Sequence, residues 1–157
     1  RELLVVAAGG RAMRFPEADV RPQGRTARGV LTMDLTAGDR ICGMEVIEPE
    51  AQVLILTEKG YGKRVPIEDF PVRSRRGRGV IVLREASMER TGPVVGVLMV
   101  NESDHISLMT TDGMAMRIPA ADVSTMSRYG SGTIAMRLKP GDSLALVARI
   151  QAASETT

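Results

Sequence analysis

Apolar positions along this chain fall in short runs closed by glycine or proline, and nowhere keep up the three-to-four-residue spacing of an amphipathic helix. Residues 3–7 (Leu-Leu-Val-Val-Ala), 53–57 (Val-Leu-Ile-Leu-Thr) and 106–110 (Ile-Ser-Leu-Met-Thr) read as strands. Each leads into a two-residue turn with glycine second: Gly9-Gly10, Lys59-Gly60 and Asp112-Gly113. Glycine tolerates the positive φ of a primed hairpin turn, so that turn type is expected. A second short strand then closes on Arg-apolar-Pro, as Arg14-Phe15-Pro16, Arg64-Val65-Pro66 and Arg117-Ile118-Pro119. Proline has no N–H to give to a ladder, so it ends the strand or lies on an edge. A third strand is expected from Gly29, Gly79 or Gly132, and a fourth over 41–47, 94–100 or 144–150. Gly38-Asp39, Gly92-Pro93 and Gly141-Asp142 mark the turns before the fourth.

These elements recur because the chain is an internal repeat. Gly10, Gly60 and Gly113 align, as do Asp19, Asp69 and Asp122, then Arg25, Arg75 and Arg128; the offsets are 50 and 53 residues. About four strands per repeat predict an all-β, propeller-like array of three four-stranded blades. Their expected bounds are 1–50, 51–103 and 104–151, with a tail over 152–157. A pair of β-sandwiches is the competing reading, and the regular offset favours blades.

Charge changes the picture through its placement. The formal net charge is +2, and 18 of the 21 basic residues are arginine. The windows 11–28, 59–84 and 113–139 hold 17 basic and 5 acidic residues; the rest holds 4 and 14. One basic window per repeat can attract a polyanion despite a near-neutral total. Aromatics are 3% of the chain with no tryptophan, which argues against stacking single-stranded bases.

Chemistry other than binding finds little support. Cys42 and His105 are single residues of their type, so neither an internal disulfide nor a cysteine–histidine zinc site can be written. A lone cysteine fits a reducing, intracellular setting, and no run is long enough for a membrane helix. No nucleotide fingerprint, catalytic triad or cofactor motif is present, and Tyr61 and Tyr129 match no catalytic pattern. Arg1 is not methionine, so the chain is read as a piece of something longer.

The segment LTEKGYGKRVPIEDFPVRSRRGRGVIVLRE over 56–85 resembles a late blade of the C-terminal domain of the DNA gyrase A subunit. TGPVVGVLMV over 91–100 and GDSLALVARI over 141–150 resemble the end of that polypeptide, and GRTARGV over 24–30 the blade before. The resemblance implies a β-pinwheel of about six blades, of which these are the last three. It further implies duplex DNA wrapped on a basic rim in support of negative supercoiling. The implied partners are the remainder of the gyrase A polypeptide and the gyrase B polypeptide, in an A2B2 assembly of an ATP-dependent type II topoisomerase in the bacterial cytoplasm. No cofactor and no catalytic residue are implied for this segment. The family's wrapping box, Gln-basic-Arg-Gly-Gly-basic-Gly, is incomplete in Gln23–Gly29 and in Arg73–Gly79, so the intact box is expected upstream. The equivalent domain of topoisomerase IV, or a propeller that meets an acidic protein, are the alternatives.

Arginine fits phosphate because its planar fork donates two parallel hydrogen bonds and stays charged. The expected phosphate contacts are Arg73, Arg75, Arg76 and Arg78, then Arg21, Arg25 and Arg28, with Arg128 in the third loop. Arg14, Lys63, Arg64 and Arg117 on the second strands would extend the track, unless the arginines there pair with Asp19, Asp69 and Asp122.

Overall fold

A computed structural model of the chain describes residues 1–19, 35–73 and 77–152. Each repeat opens with a hairpin. β1 (Glu2–Ala7) pairs with β2 (Arg11–Pro16), β4 (Gln52–Thr57) with β5 (Tyr61–Pro66), and β8 (His105–Thr110) with β9 (Ala115–Pro119). The closing strands β3 (Ile41–Val46), β7 (Val94–Val100) and β11 (Leu144–Ile150) pair back on the first strand of their own hairpin. The register slips by one residue at the same place in all three, skipping Cys42, Val95 and Ala145.

The hairpin turns differ from the expected primed type. The N–H groups of Gly10, Gly60 and Gly113 donate to the carbonyls of Ala7, Thr57 and Thr110 at 3.0 Å each. Among the described residues positive φ occurs only at glycines, 90°, 88° and 87° at these three, and not at Gly9, Lys59 or Asp112. This is the three-residue loop in which a type I turn is followed by a left-handed glycine. Side chains finish two of the turns: Asp39 Oδ1 accepts the Gly9 N–H at 2.8 Å, and Asp142 Oδ1 accepts the Asp112 N–H at 3.0 Å.

Sheet and repeat do not coincide. The third strands of the second and third repeats, β6 (Val80–Ile81) and β10 (Thr133–Ile134), pair with β2 and β5 of the repeat before. The sheets therefore run β3-β1-β2-β6, β7-β4-β5-β10 and β11-β8-β9, so the third is three-stranded among the described residues. Each of the first two blades is completed by a strand from the repeat that follows it.

The same exchange is locked at fixed points. The Gly10 carbonyl accepts N–H bonds from Val82 and Leu83, and the Gly60 carbonyl from Ala135 and Met136. The Ala8 carbonyl accepts from Val94, and that of Glu58 from Leu144. Where β3 meets β7, a Cβ on Gly43 would lie 2.5 Å from Val97 Cγ1; where β7 meets β11, one on Gly96 would lie 2.3 Å from Val147 Cγ2. The matching residue of the third repeat is Leu146, which is 64% exposed.

The core lies between blades. Alternate residues of one strand point to opposite faces. Leu4, Val6, Val53 and Ile55 share one buried cluster with Phe70, Val97 and Met99, whereas Leu54 and Leu56 join Ile106, Leu108 and Leu144 in a second. A middle-blade strand is covered on both faces and so reads as an unbroken apolar run. In β8 the inward Ile106 and Leu108 alternate with Ser107 and Met109, and Met109 is exposed. Full burial of such a side chain contributes about 1.5–3 kcal/mol, so stability comes from stacking and not from a single sheet.

Candidate nucleic-acid interface

The exchanged segments build one edge of each of the first two blades. The chain leaves β5 through Ile67–Asp69, runs parallel to β2 with a bridge from Val72 to Arg14, and enters β6 through residues 77–79. The third repeat does the same along β5, with a bridge from Thr125 to Arg64. Residues 77–79, at the described end of the Arg/Gly-rich loop, lead into β6 beside β2 of the preceding blade. A Cβ on Gly77 would come within 3.3 Å of Met13 Cε, so Gly77 sits tight on β2. Arg73 and Arg78 are exposed there, and so is Arg84 just beyond β6. Arg21, Arg25, Arg28, Arg75 and Arg76 lie outside the described residues.

The strand cations turn inward. Arg64 is 7% exposed and donates to the carbonyls of Val123 (2.6 Å) and Ala121 (3.3 Å) and to Gln52 Oε1 (2.9 Å). Arg14 makes the same clasp one blade earlier. Its Nη1 bonds the carbonyls of Ile67 and Phe70, and its Nη2 forms an ion pair with Glu2 at 2.6 Å. Arg14 and Arg64 thus fasten the next repeat's turn. Their partners are those carbonyls and a first-strand residue, not Asp19 or Asp69. Arg117 has no such partner among the described residues and stays exposed on β9, an edge strand of its sheet.

Arg128 is likewise a fastener: Nε donates to the Asp69 carbonyl at 2.6 Å and Nη1 to that of Ile81 at 2.8 Å. Its guanidinium and that of Arg84 lie 5.0 and 5.5 Å from the centre of the exposed Tyr129 ring. Lys63 is 2% exposed and holds the carbonyls of Arg128 and Gly130 at 2.6 Å each. Arg14, Lys63, Arg64 and Arg128 therefore have their donors engaged within the protein. Arg73, Arg78, Arg84 and Arg117 remain exposed.

Burial pushes the Lys63 ammonium down to about 8; the Arg128 charge adds to this and Asp69 opposes it. An unfolded lysine keeps its proton to about 10.4. Between these values the unfolded chain binds more protons, so this group makes stability rise with pH over that window. Urea unfolding from pH 7.5 to 10 is expected to show this rise, and Lys63→Met to remove it. An equal pH dependence in both proteins would mean that the amine titrates normally.

Sequence reasoning did not single out four further cations. Lys59, Arg90, Arg137 and Lys139 meet at the hairpin end of the second blade around a cavity of about 400 Å³. Among the described residues no helix is long and apolar enough to cross a membrane.

Comparison with known proteins places these features. A family model described as "DNA gyrase C-terminal domain, beta-propeller" matches residues 1–48, 51–101 and 104–151. The DNA gyrase A subunit of Aminobacterium colombiense is 40% identical over 143 residues, 91% of this chain and 17% of that protein. The DNA gyrase A subunit of Klebsiella oxytoca is 35% identical, covering 95% of this chain and again 17% of the relative. A solved DNA gyrase A C-terminal domain superposes with a TM-score of 0.88 at 29% identity, covering 96% of this chain and 50% of that one. A solved C-terminal domain of DNA topoisomerase IV gives 0.86 at 26%, covering 96% and 46%.

Proposed function

The chain belongs to the DNA gyrase C-terminal domain family, and on that premise we propose that it holds duplex DNA by its phosphates along the outer edges of its blades. The observation that carries this reading is the strand exchange, which sets β6 on the edge of the preceding blade and leaves Arg73, Arg78 and Arg84 exposed around it. Phosphate contacts position a duplex without reading its bases. Bending a duplex costs several kcal/mol, so contacts repeated from blade to blade are needed to offset it. Arg75, Arg76, Arg21, Arg25 and Arg28 belong to the proposed track by their place in the sequence repeat.

The chain spans about one sixth of its curated relatives. In the parent protein we assign it a non-catalytic part: supporting negative supercoiling by an A2B2 assembly of the gyrase A and B polypeptides in the bacterial cytoplasm. The likeness to the topoisomerase IV domain keeps a second reading, the same edge with weaker wrapping; an intact upstream box would decide for gyrase.

Titration against a random-sequence duplex at several salt concentrations tests the proposal. Log K is expected to fall with log salt by about 0.9 per phosphate contacted. Arg73→Ala/Arg78→Ala should weaken all sequences alike and make the slope shallower. Absence of binding at low salt would overturn the reading, and an unchanged slope would move the contact elsewhere.

A further inference from the structure

The cavity at the hairpin end of the second blade is chemically unlike its counterpart in the first. Both sit where a repeat's exchanged strand closes over the hairpin before it. In the first blade the cavity is lined by Arg11, Arg40 and Arg78 but also by Asp39, Glu58 and Glu85, so its charges cancel. In the second it is lined by Lys59, Arg90, Arg137 and Lys139 against one acid, Asp142. Asp142 Oδ1 is engaged by Thr111 Oγ1 and by the N–H groups of Asp112 and Ser143, although Oδ2 has no hydrogen-bond partner among the described residues. The same fold carries both cavities, so the positive charge of one is a property of its residues and not of the architecture.

Two of these cations are already aimed. Lys59 Nζ donates to the Glu89 carbonyl at 2.7 Å, which ties the hairpin tip to α1 (Met88–Thr91). Arg90 lies over the Tyr61 ring, 5.5 Å from its centre, and Arg90 Nη2 donates to Ser131 Oγ. Arg137 and Lys139 make no side-chain hydrogen bond or ion pair among the described residues, and both are exposed. Ile134 adds an exposed apolar surface beside them. Cations over an apolar floor suit a sugar-phosphate backbone, with phosphates on the charges and deoxyribose on the floor. The Arg90–Ser131 bond also ties this cavity to the third repeat's segment before β10.

We propose that Lys59, Arg90, Arg137 and Lys139 form a phosphate seat for the backbone of the same duplex, beyond the edge loops and without a working equivalent on the first blade. The proposal rests on the duplex-binding reading above. It adds that Arg137 and Lys139 carry the contact and that Arg90 and Lys59 frame it.

The test compares three proteins: the 157-residue chain, Arg137→Ala/Lys139→Ala, and a charge-matched control, Arg1→Ala/Arg40→Ala. Each is titrated with the random duplex across salt, with thermal midpoints measured alongside. The seat variant should keep its midpoint, since both side chains are exposed. It should bind several-fold more weakly than the control, and its salt slope should fall by about 0.9 for each phosphate released. A seat variant indistinguishable from the control, while Arg73→Ala/Arg78→Ala still weakens binding, would overturn the seat and leave the edge-loop reading standing. Duplex binding absent from the unaltered chain would overturn both. Inorganic phosphate added at matched ionic strength should not displace the duplex; full displacement at millimolar phosphate would make this a site for the free anion and overturn the backbone assignment.

Discussion

Replacing Gly60 or Gly10 by alanine should destabilise the protein by about 3–4 kcal/mol, whereas the same change at Gly113 should cost about 1–2 kcal/mol. All three glycines have φ near +90°, so all three share the strain of a left-handed alanine. They differ in what lies above them. A Cβ on Gly10 would sit 2.2 Å from the Leu83 carbonyl oxygen, and one on Gly60 2.2 Å from that of Met136; nothing lies within 4 Å of Gly113. Those oxygens belong to backbone whose N–H groups bond the glycine's own carbonyl, so they cannot retreat without breaking two hydrogen bonds. Net loss of about 1 kcal/mol for each bond accounts for the difference. Urea unfolding of the three single variants measures it directly. Equal losses at all three positions would mean that the joints yield and only the turn strain counts.

Arg64→Ala is expected to cost about 3 kcal/mol or more, because it strands the carbonyls of Ala121 and Val123 beneath a buried cavity, and bonds from a charged donor are worth about 1.5–3 kcal/mol each. Arg14→Ala should cost less, since its ion pair with Glu2 is partly open to water. Arg117→Ala should change stability by no more than about 0.5 kcal/mol, as usual for an exposed site without partners. Arg64→Lys should restore little, because one ammonium cannot span acceptors set out for a planar fork. Unfolding midpoints across this series separate a fastening arginine from one spared for ligand. A large loss at Arg117 would contradict its open position on β9.

Much of this was readable from the residues. The apolar runs marked the first and fourth strands to within a residue, most plainly in β1, β4 and β7, which are buried almost throughout, and glycine marked every described position of reversed φ. The exchange of β6 and β10 was not readable. A repeat period fixes how long the unit is, and says nothing about which sheet a two-residue strand joins. The partners of Arg14 and Arg64 were hidden for the same reason. Each repeat carries a plausible aspartate of its own, but the true acceptors are backbone carbonyls one repeat further on, and every residue has a carbonyl. The edge loop declared itself by dense arginine, whereas Lys59, Arg90, Arg137 and Lys139 are spread over some eighty positions and meet only after the exchange. One signal was available: Arg84 and Arg137 occupy equivalent places after the exchanged strand.

The glycine at the joint between closing strands also bears on how such an array can grow. Gly43 receives Val97 and Gly96 receives Val147, so a blade with glycine there has a socket for its successor. Leu146 fills that socket in the third repeat. A tandem duplication of the middle unit would carry plug and socket together and could be spliced in without redesign. Duplicating the third unit would set a leucine against the incoming valine. Leu146→Gly would open the same socket on the third repeat.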